Sequence, residues 1–189
     1  MTISPESCAT KITAQAVLRD PILLLAHGLG SGLAPKAPGT FGTLAAFLPW
    51  LVLAQLSWPL YFVVIVVAGV GGVWLCGEAA RRMGAEHGGD ADPGGIVWDE
   101  WVGVWIALAA VPGMQQPIAL WGEQWVWALA AVVLFRLFDI LKPGPIGWCD
   151  RHLHGGLGIM LDDVVAGVVV FVLLQLAHLQ WVHLSLSLL

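Results

Sequence analysis

The sequence predicts an all-α, polytopic membrane protein: about four to five membrane helices, preceded by an N-terminal segment that is interfacial or re-entrant. Three observations support this fold class. The chain is 58% apolar and 11% charged, with a mean hydropathy of +0.82, whereas soluble domains carry about 25% charged residues. Apolar stretches long enough for helices recur along it. Charged residues are confined to alternate connections, which is typical of a chain that crosses a bilayer repeatedly.

The apolar stretches are separated by polar segments that are alternately charge-rich and nearly charge-free. In chain order the apolar stretches lie at roughly 43–57, 59–77, 101–112, 124–140 and 164–184. Nearly all of the first two lies within Thr43 to Cys76, a stretch of 34 residues without a charge, which is too long for one span of a ~30 Å core at about 1.5 Å per residue. We expect two helices that separate at Ser57-Trp58-Pro59, since proline disfavours helix at the residue before it.

The chain is expected to form one domain. We place a loosely ordered or amphipathic lead at residues 1–20 and a single helical membrane domain at 21–189. Residues 21–42 contain repeated glycine and proline, which favours a membrane-entry segment rather than a span. The stretch 101–112 is short, so it crosses only if its acidic start lies near headgroup depth or in a protein-lined cavity.

The charges indicate an orientation. All eight Lys and Arg residues fall in connections that can share one side of the membrane, and of the 13 carboxylates only Glu123 falls outside them. The positive-inside rule places that side in the cytoplasm. We therefore expect the chemistry of this protein at the cytoplasmic interface, and no nucleic-acid partner.

A glycine-rich segment at 28–43 leads directly into the first apolar stretch. Glycines let successive backbone N–H groups converge on an anion, and a helix N-terminus adds favourable partial charge. The candidate contacts to phosphate or to metal-bound water here are Lys36 and the hydroxyls of Ser31, Thr40 and Thr43. The alternative interpretation is a glycine-rich turn at the membrane entry, without a ligand.

Five carboxylates are expected to converge on the same interface from three helices. They are Asp99, Glu100, Asp139, Asp162 and Asp163. Such a cluster is repulsive unless a cation lies among its members, and hard oxygen ligands beside a phosphate favour Mg²⁺. Structural alternatives stay open: Arg136 and Asp139 are spaced i, i+3 for an ion pair, and Asp162 or Asp163 could cap a helix.

Four motifs in this order resemble the phosphatidylglycerophosphatase A family, bacterial membrane phosphatases of phospholipid synthesis. They are G-x-G-S-G…A-P-G-T-x-G-T in 28–43, I-V-W-D-E in 96–103, F-R-x-F-D-x-x-K-P-x-P-I in 135–146 and G-G-x-G-I-M-x-D-D-V-x-A-G in 155–167. The resemblance covers most of residues 21–170. It implies Mg²⁺-dependent removal of the terminal phosphate from phosphatidylglycerophosphate, leaving phosphatidylglycerol, at the cytoplasmic face of the bacterial inner membrane.

On this interpretation the residues take three roles. The catalytic set is Asp99, Arg136, Asp139 and Asp163. The five carboxylates hold one or two Mg²⁺ ions, and phosphate is bound by Ser31, Lys36, Gly39, Thr40, Arg136 and Lys142. Direct attack by water and a covalent aspartyl-phosphate both stay open. The rival classes are a membrane lipid phosphotransferase and a small transporter using the same acidic cluster, although transporters usually carry internal repeats and charge near the midplane.

Overall fold

The computed structural model describes residues 14–84, 95–111 and 122–187, and these ranges contain helices but no β-strand. In chain order the helices are α1 (Ala14–Arg19), α2 (Pro21–Ala26), α3 (Pro38–Ala45), α4 (Phe47–Leu53), α5 (Trp58–Arg82), α6 (Trp98–Leu108), α7 (Gln124–Leu141), α8 (Pro145–His152) and α9 (Gly155–Ser187), with a 3₁₀ segment at Gly28–Leu33. The predicted all-α membrane fold is confirmed.

Three helices in the described ranges are long and apolar enough to cross a membrane. These are α5 with 25 residues, α7 with 18 and α9 with 33, and an 18-residue window in each has a mean hydropathy of 2.3, 1.7 and 2.4, respectively. At about 1.5 Å per residue even the shortest reaches ~27 Å. Helix α5 begins at the predicted break, with Ser57 at its N-cap and Pro59 in its first turn, where the missing N–H is not needed.

The first apolar stretch does not form one span. Helix α3 ends at Ala45 and α4 begins at Phe47, and Pro49 explains the interruption. Proline has no N–H to donate to the carbonyl of residue 45, and its ring crowds that carbonyl. The carbonyl of Ala46, at the interruption, accepts the N–H of Trp50 at 3.2 Å and also the indole N–H of Trp105 at 2.9 Å.

Helix α6 is a short helix at the centre of the bundle. Eight of its 11 residues are buried, and it packs against α3, α5, α7 and α9. A helix of this length reaches only ~16 Å, about half of the hydrocarbon core. To cross the membrane, the stretch 101–112 requires its acidic start to lie near headgroup depth or in a protein-lined cavity. In the structure this acidic start is surrounded by protein.

Glycines let α9 approach its neighbours closely. A Cβ on Gly167 would overlap the carbonyl of Gly103, and a Cβ on Gly103 would lie 2.7 Å from the carbonyl oxygen of Asp163. A Cβ on Gly156 would overlap backbone of α5 at Val73. Because lipid provides no hydrophobic drive between helices, close backbone packing of this kind holds membrane bundles together. The packing at Gly103 and Gly167 places the acidic residues of α9 beside those of α6.

The close contacts also fix the direction of the helices. Gly77 near the end of α5 meets Gly156 at the start of α9, and Gly39 at the start of α3 meets Glu100 and Arg136. The N-termini of α3, α6 and α9 and the C-termini of α5 and α7 therefore share one end of the bundle, which we call the charged end.

The N-terminal segment covers this end. Residues 1–13 of the predicted lead lie outside the described residues, and the rest of it forms α1, where Val17 is buried. Asp20 caps α2 by accepting a hydrogen bond from the N–H of Ile22 at 2.9 Å, and it pairs with Arg82 at 2.5 Å. Arg82 also bonds Glu78 at 2.8 Å. This ion-pair chain ties α2 to the end of α5.

Candidate active site

The structure brings the five predicted carboxylates together. Asp99, Asp162 and Asp163 are 5%, 7% and 3% exposed, and Glu100 and Asp139 are largely buried. The electrostatic neighbours of Asp163 are the other four carboxylates of the set. They reach this point from α6, α7 and α9, as the sequence predicted.

The two aspartates of α9 are not helix caps. That helix begins at Gly155, so Asp162 and Asp163 lie about two turns inside it, roughly 10 Å from its start. A side chain at this depth cannot reach the free N–H groups of the first turn. The capping alternative is therefore wrong, and the acidic cluster is recessed within the bundle.

Arg136 joins three helices through one guanidinium group. Its Nη1 donates to Asp139 at 2.6 Å and to Glu100 at 2.9 Å, and lies 3.5 Å from the hydroxyl oxygen of Thr43. The predicted i, i+3 pair is thus present, within a larger network. The Nε of Arg136 is buried and has no hydrogen-bond partner among the described residues. One N–H of the guanidinium is therefore left unsatisfied by the described residues.

Lys142 ends α7 in a left-handed conformation. Its ammonium donates to Asp162 at 2.7 Å and also to Asp150. Burial alone would lower the pKa of Lys142, but the hydrogen bonds to Asp150 and Asp162 outweigh that effect and raise its pKa. Lys142 therefore stays charged beside the cluster.

Asp150 was missed by the sequence interpretation. It lies in α8 and contacts Lys142 across the break between α7 and α8. Eight residues separate the two side chains, and no helical spacing connects them once α7 has ended. Only the tertiary turn through Pro143 and Pro145 reveals this partner.

The glycine-rich segment meets the cluster through its second half. A Cβ on Gly39 would overlap Oε1 of Glu100 and lie 3.1 Å from Nη1 of Arg136, and a Cβ on Gly42 would lie 2.7 Å from Oε2 of Glu100. Thr43, which is buried, donates its hydroxyl to the carbonyl of Gly39 at 2.9 Å. The start of α3 therefore rests directly on the Glu100–Arg136 pair.

Three other predicted phosphate contacts do not reach the cluster. Lys36 and Thr40 are exposed, and neither side chain makes a polar contact with another described residue. The hydroxyl of Ser31 donates to the carbonyl of Gly28 at 2.9 Å, which is a local bond within the 3₁₀ segment. Thr40 is next to Gly39 in sequence, but one helical step of about 100° turns it outward. Their role in phosphate binding stays a prediction.

A buried histidine fixes the glycine-rich segment against the start of α6. His27 is 2% exposed and its Nδ1 lies 2.7 Å from the carbonyl oxygen of Leu23. Burial lowers the pKa of His27, so it is neutral and Nδ1 donates this bond. Beside it the N–H of Val97 donates to the carbonyl of Ala26 at 2.9 Å. Val97 immediately precedes α6, so these contacts help to position Asp99.

The residues of the cluster fit a hard divalent cation held partly by other oxygens. Oδ1 of Asp162 and Oδ1 of Asp163 are buried and lack hydrogen-bond partners among the described residues. The five carboxylates outnumber the two cations that contact them, Arg136 and Lys142. Across the described ranges, no three acidic, histidine or cysteine side chains are gathered tightly enough to hold an ion alone. Mg²⁺ commonly takes one or two carboxylates and completes its shell with water and substrate oxygens.

Gly39→Ala tests the contact between α3 and the cluster. The new methyl group would overlap the Glu100 carboxylate, so α3 or Glu100 must shift, and misplacement of about 1 Å costs about a hundredfold in rate. We expect phosphate release from a lipid phosphomonoester to fall about ten- to a hundredfold. Gly69→Ala is the control, since its Cβ would make an ordinary 3.9 Å contact. Equal activities of the two variants would contradict the close approach.

Comparison with known proteins agrees with the four motifs. A family model described as phosphatidylglycerophosphatase A matches residues 24–178. This chain belongs to the phosphatidylglycerophosphatase A family. The predicted family and the predicted enzyme class, a phosphatase, are both confirmed, and the matched range includes every residue of the cluster.

Three similar proteins match most of this chain. Phosphatidylglycerophosphatase A of Escherichia coli is 44% identical over 171 residues, 89% of this chain and 90% of the relative. The protein of the same name from Haemophilus influenzae is 44% identical over 152 residues, 80% and 85% of the two chains. A putative phosphatidylinositol-3-phosphatase of Bacteroides thetaiotaomicron is 38% identical over 167 residues, 85% and 94%. No solved structure matches the chain.

Proposed function

We propose that this protein hydrolyses the terminal phosphomonoester of phosphatidylglycerophosphate, giving phosphatidylglycerol and phosphate, in a reaction that requires Mg²⁺. Family membership and the names of two relatives support the substrate. The observation that carries the proposal is the recessed cluster at the charged end. There, four carboxylates from three helices surround Asp163, with Arg136 and Lys142 at the edge of the cluster.

The charged end provides electrostatic complementarity for a phosphate. The N–H groups at the starts of helices carry partial positive charge, which favours anions, and α3, α6 and α9 all begin here. The unpartnered Nε of Arg136 can donate to a phosphoryl oxygen in a charge-assisted hydrogen bond. The Lys142 ammonium neutralises a second oxygen if it turns from Asp150, the more exposed of its two partners.

The carboxylates would hold the ion and accept protons. Asp162 and Asp163 have the buried oxygens available to bind it, and Asp99, Glu100 and Asp139 surround them. Mg²⁺, when bound, supplies polarisation of phosphoryl oxygens and a lower pKa for water. Hydrolysis forms a bond from phosphorus to the oxygen of water and breaks the bond from phosphorus to the glycerol oxygen. A carboxylate of the cluster takes the proton of the water, and the departing oxygen gains one.

The orientation belongs to the same proposal. The basic residues of the charged end, among them Arg81, Arg82 and Lys142, place this end in the cytoplasm by the positive-inside rule. We propose that the protein is a multi-pass protein of the bacterial inner membrane. Acyl chains of the substrate would stay in the bilayer while its phosphates enter the recess.

The test is phosphate release by the purified protein in detergent. We expect release from phosphatidylglycerophosphate, loss of at least about 95% of the rate after EDTA treatment, because a metal-assisted step supplies several kcal/mol, and recovery on adding excess Mg²⁺. No release in the presence of Mg²⁺ would overturn the substrate assignment. A rate unchanged by exhaustive chelation would overturn the metal requirement.

The same assay separates two further alternatives. A relative is named as a putative phosphatidylinositol-3-phosphatase, so phosphatidylinositol 3-phosphate is the competing substrate, and a higher kcat/KM for it would reassign the specificity. Labelled phosphate trapped on the protein during turnover would indicate an aspartyl-phosphate intermediate in place of direct water attack.

A further inference from the structure

An apolar groove runs along the outside of the bundle between α5 and α6. Its volume is about 530 Å³, and its lining includes Leu25, Val63, Val67, Gly71, Trp98 and Trp105. Every side chain that lines it is apolar. One wall is α5, a helix with the length and composition of a membrane span, so the groove opens towards the hydrocarbon.

Tryptophans from α6 give the groove a rigid floor. The indole N–H of Trp98 donates to the carbonyl of Ala68 in α5 at 3.1 Å, which holds the ring across the gap between the helices. Trp98 also meets Trp105 edge to face, with ring centroids 6.0 Å apart. These contacts hold both rings in place without a ligand, so the groove is preformed.

Of two adjacent glycines in α5, one leaves the space open and the other serves helix packing. A Cβ on Gly71 would meet no atom within 4 Å, whereas a Cβ on Gly72 would lie 2.7 Å from the sulfur of Met160. Gly72 therefore serves the packing of α5 on α9. Gly71 does not pack against another helix, and because it has no side chain the groove is empty between Val67 and Trp74.

The groove is level with the acidic cluster at one end. Trp98 immediately precedes Asp99, and Met160, which packs on the lining residue Gly72, lies one helical turn before Asp163. From Trp98 the groove follows α6 to Trp105, about 10 Å further from the charged end. An aliphatic chain on these rings would therefore descend from the height of the cluster into the hydrocarbon.

We propose that this groove binds one acyl chain of the phospholipid substrate. The inference rests on the proposed function, because it assumes that the phosphate of the same lipid lies at the cluster. Bilayer lipid is as apolar as the groove, so transfer into it gains no hydrophobic free energy. The contribution is close packing on the indole rings and a fixed orientation of the ester to be cleaved.

Gly71→Phe tests this proposal, because Gly71 lines the groove and a Cβ there meets no atom within 4 Å, so the ring can extend into the empty space. The substrates are phosphatidylglycerophosphates with palmitoyl and with butanoyl chains, in the same detergent. We expect kcat/KM for the palmitoyl lipid to fall about five- to tenfold, since orientation is lost, while the rate with the butanoyl lipid is unchanged. The matched control is Val70→Phe, at a neighbouring position that is 71% exposed and outside the groove. This variant should leave kcat/KM unchanged for both lipids.

The outcomes are distinguishable. Equal behaviour of Gly71→Phe and Val70→Phe would show that the groove holds only bulk lipid and would overturn the proposal. A fall of the same size with both substrates would overturn it too, because that result indicates damage to the fold. Gly71→Leu, a smaller filling, should give the same substrate dependence with a smaller effect. If the wild-type protein releases phosphate from neither lipid, the proposed function itself fails.

Discussion

Asp163→Asn is expected to abolish phosphate release almost completely while leaving the protein folded. The substitution keeps the shape of the side chain and removes its charge. Loss of one electrostatic group at a reacting centre lowers kcat about a hundred- to a thousandfold. We therefore expect kcat of this variant to fall at least about a hundredfold. The rate is measured with phosphatidylglycerophosphate and Mg²⁺ in detergent.

The stability of this variant provides an independent check. Asp163 is buried among four other carboxylates, so neutralising it removes like-charge repulsion. In the absence of Mg²⁺, Tm should therefore be equal to or higher than that of the wild type. Glu78→Gln, which removes a carboxylate at the same end but outside the cluster, is the control and should keep its activity. Near-normal turnover by Asp163→Asn would remove this residue from the proposed machinery.

Arg136→Gln is expected to impair both activity and stability. The guanidinium bonds Glu100 and Asp139 and lies beside Thr43, so its loss leaves two largely buried carboxylates without this shared partner. Removing one side of a buried ion pair costs about 3–5 kcal/mol, and this site, which is partly exposed, should fall at the lower end. Activity should fall about a hundredfold or more, because the donor proposed for phosphate is lost as well.

Two control variants separate charge from geometry. Arg136→Lys keeps the charge and can replace some contacts of Nη1, but it loses the planar guanidinium with its Nε donor, so we expect it to recover part of the stability and little of the activity. Arg81→Gln removes an exposed arginine that is also paired at i, i+3, with Glu78, and should change stability by less than about 1 kcal/mol. Full activity in Arg136→Lys would contradict a role for the fork and leave only the charge.

The sequence predicted the class of fold and the membership of the acidic cluster. Hydropathy and the confinement of charge to alternate connections were enough to predict that the chain forms membrane helices, because a bilayer imposes both patterns on any chain that crosses it. The four motifs were enough for the family. The break at Ser57-Trp58-Pro59 followed from the local chemistry of proline.

The lengths of individual helices were harder to predict. The stretch 43–57 reads as a span by composition, yet it is divided at Pro49 into α3 and α4, and Ala46 between them bonds Trp105 of α6. Helix α9 begins at Gly155, ahead of its apolar stretch. Glycines near its start usually indicate a turn, and here Gly156 packs against α5 within the helix.

The sequence by itself determined that this chain is a helical membrane phosphatase whose acidic residues gather at one end. Hydropathy and charge depend on residue type, which can be read in one dimension. Only the tertiary structure decided that Arg136 bridges Glu100 to Asp139, that Asp150 shares Lys142 with Asp162, and that Lys36 and Thr40 face outward. Those contacts depend on how helices rotate and cross, and at the crossings of α9 with α5 and α6 that geometry is set by glycines whose neighbours lie far away in sequence.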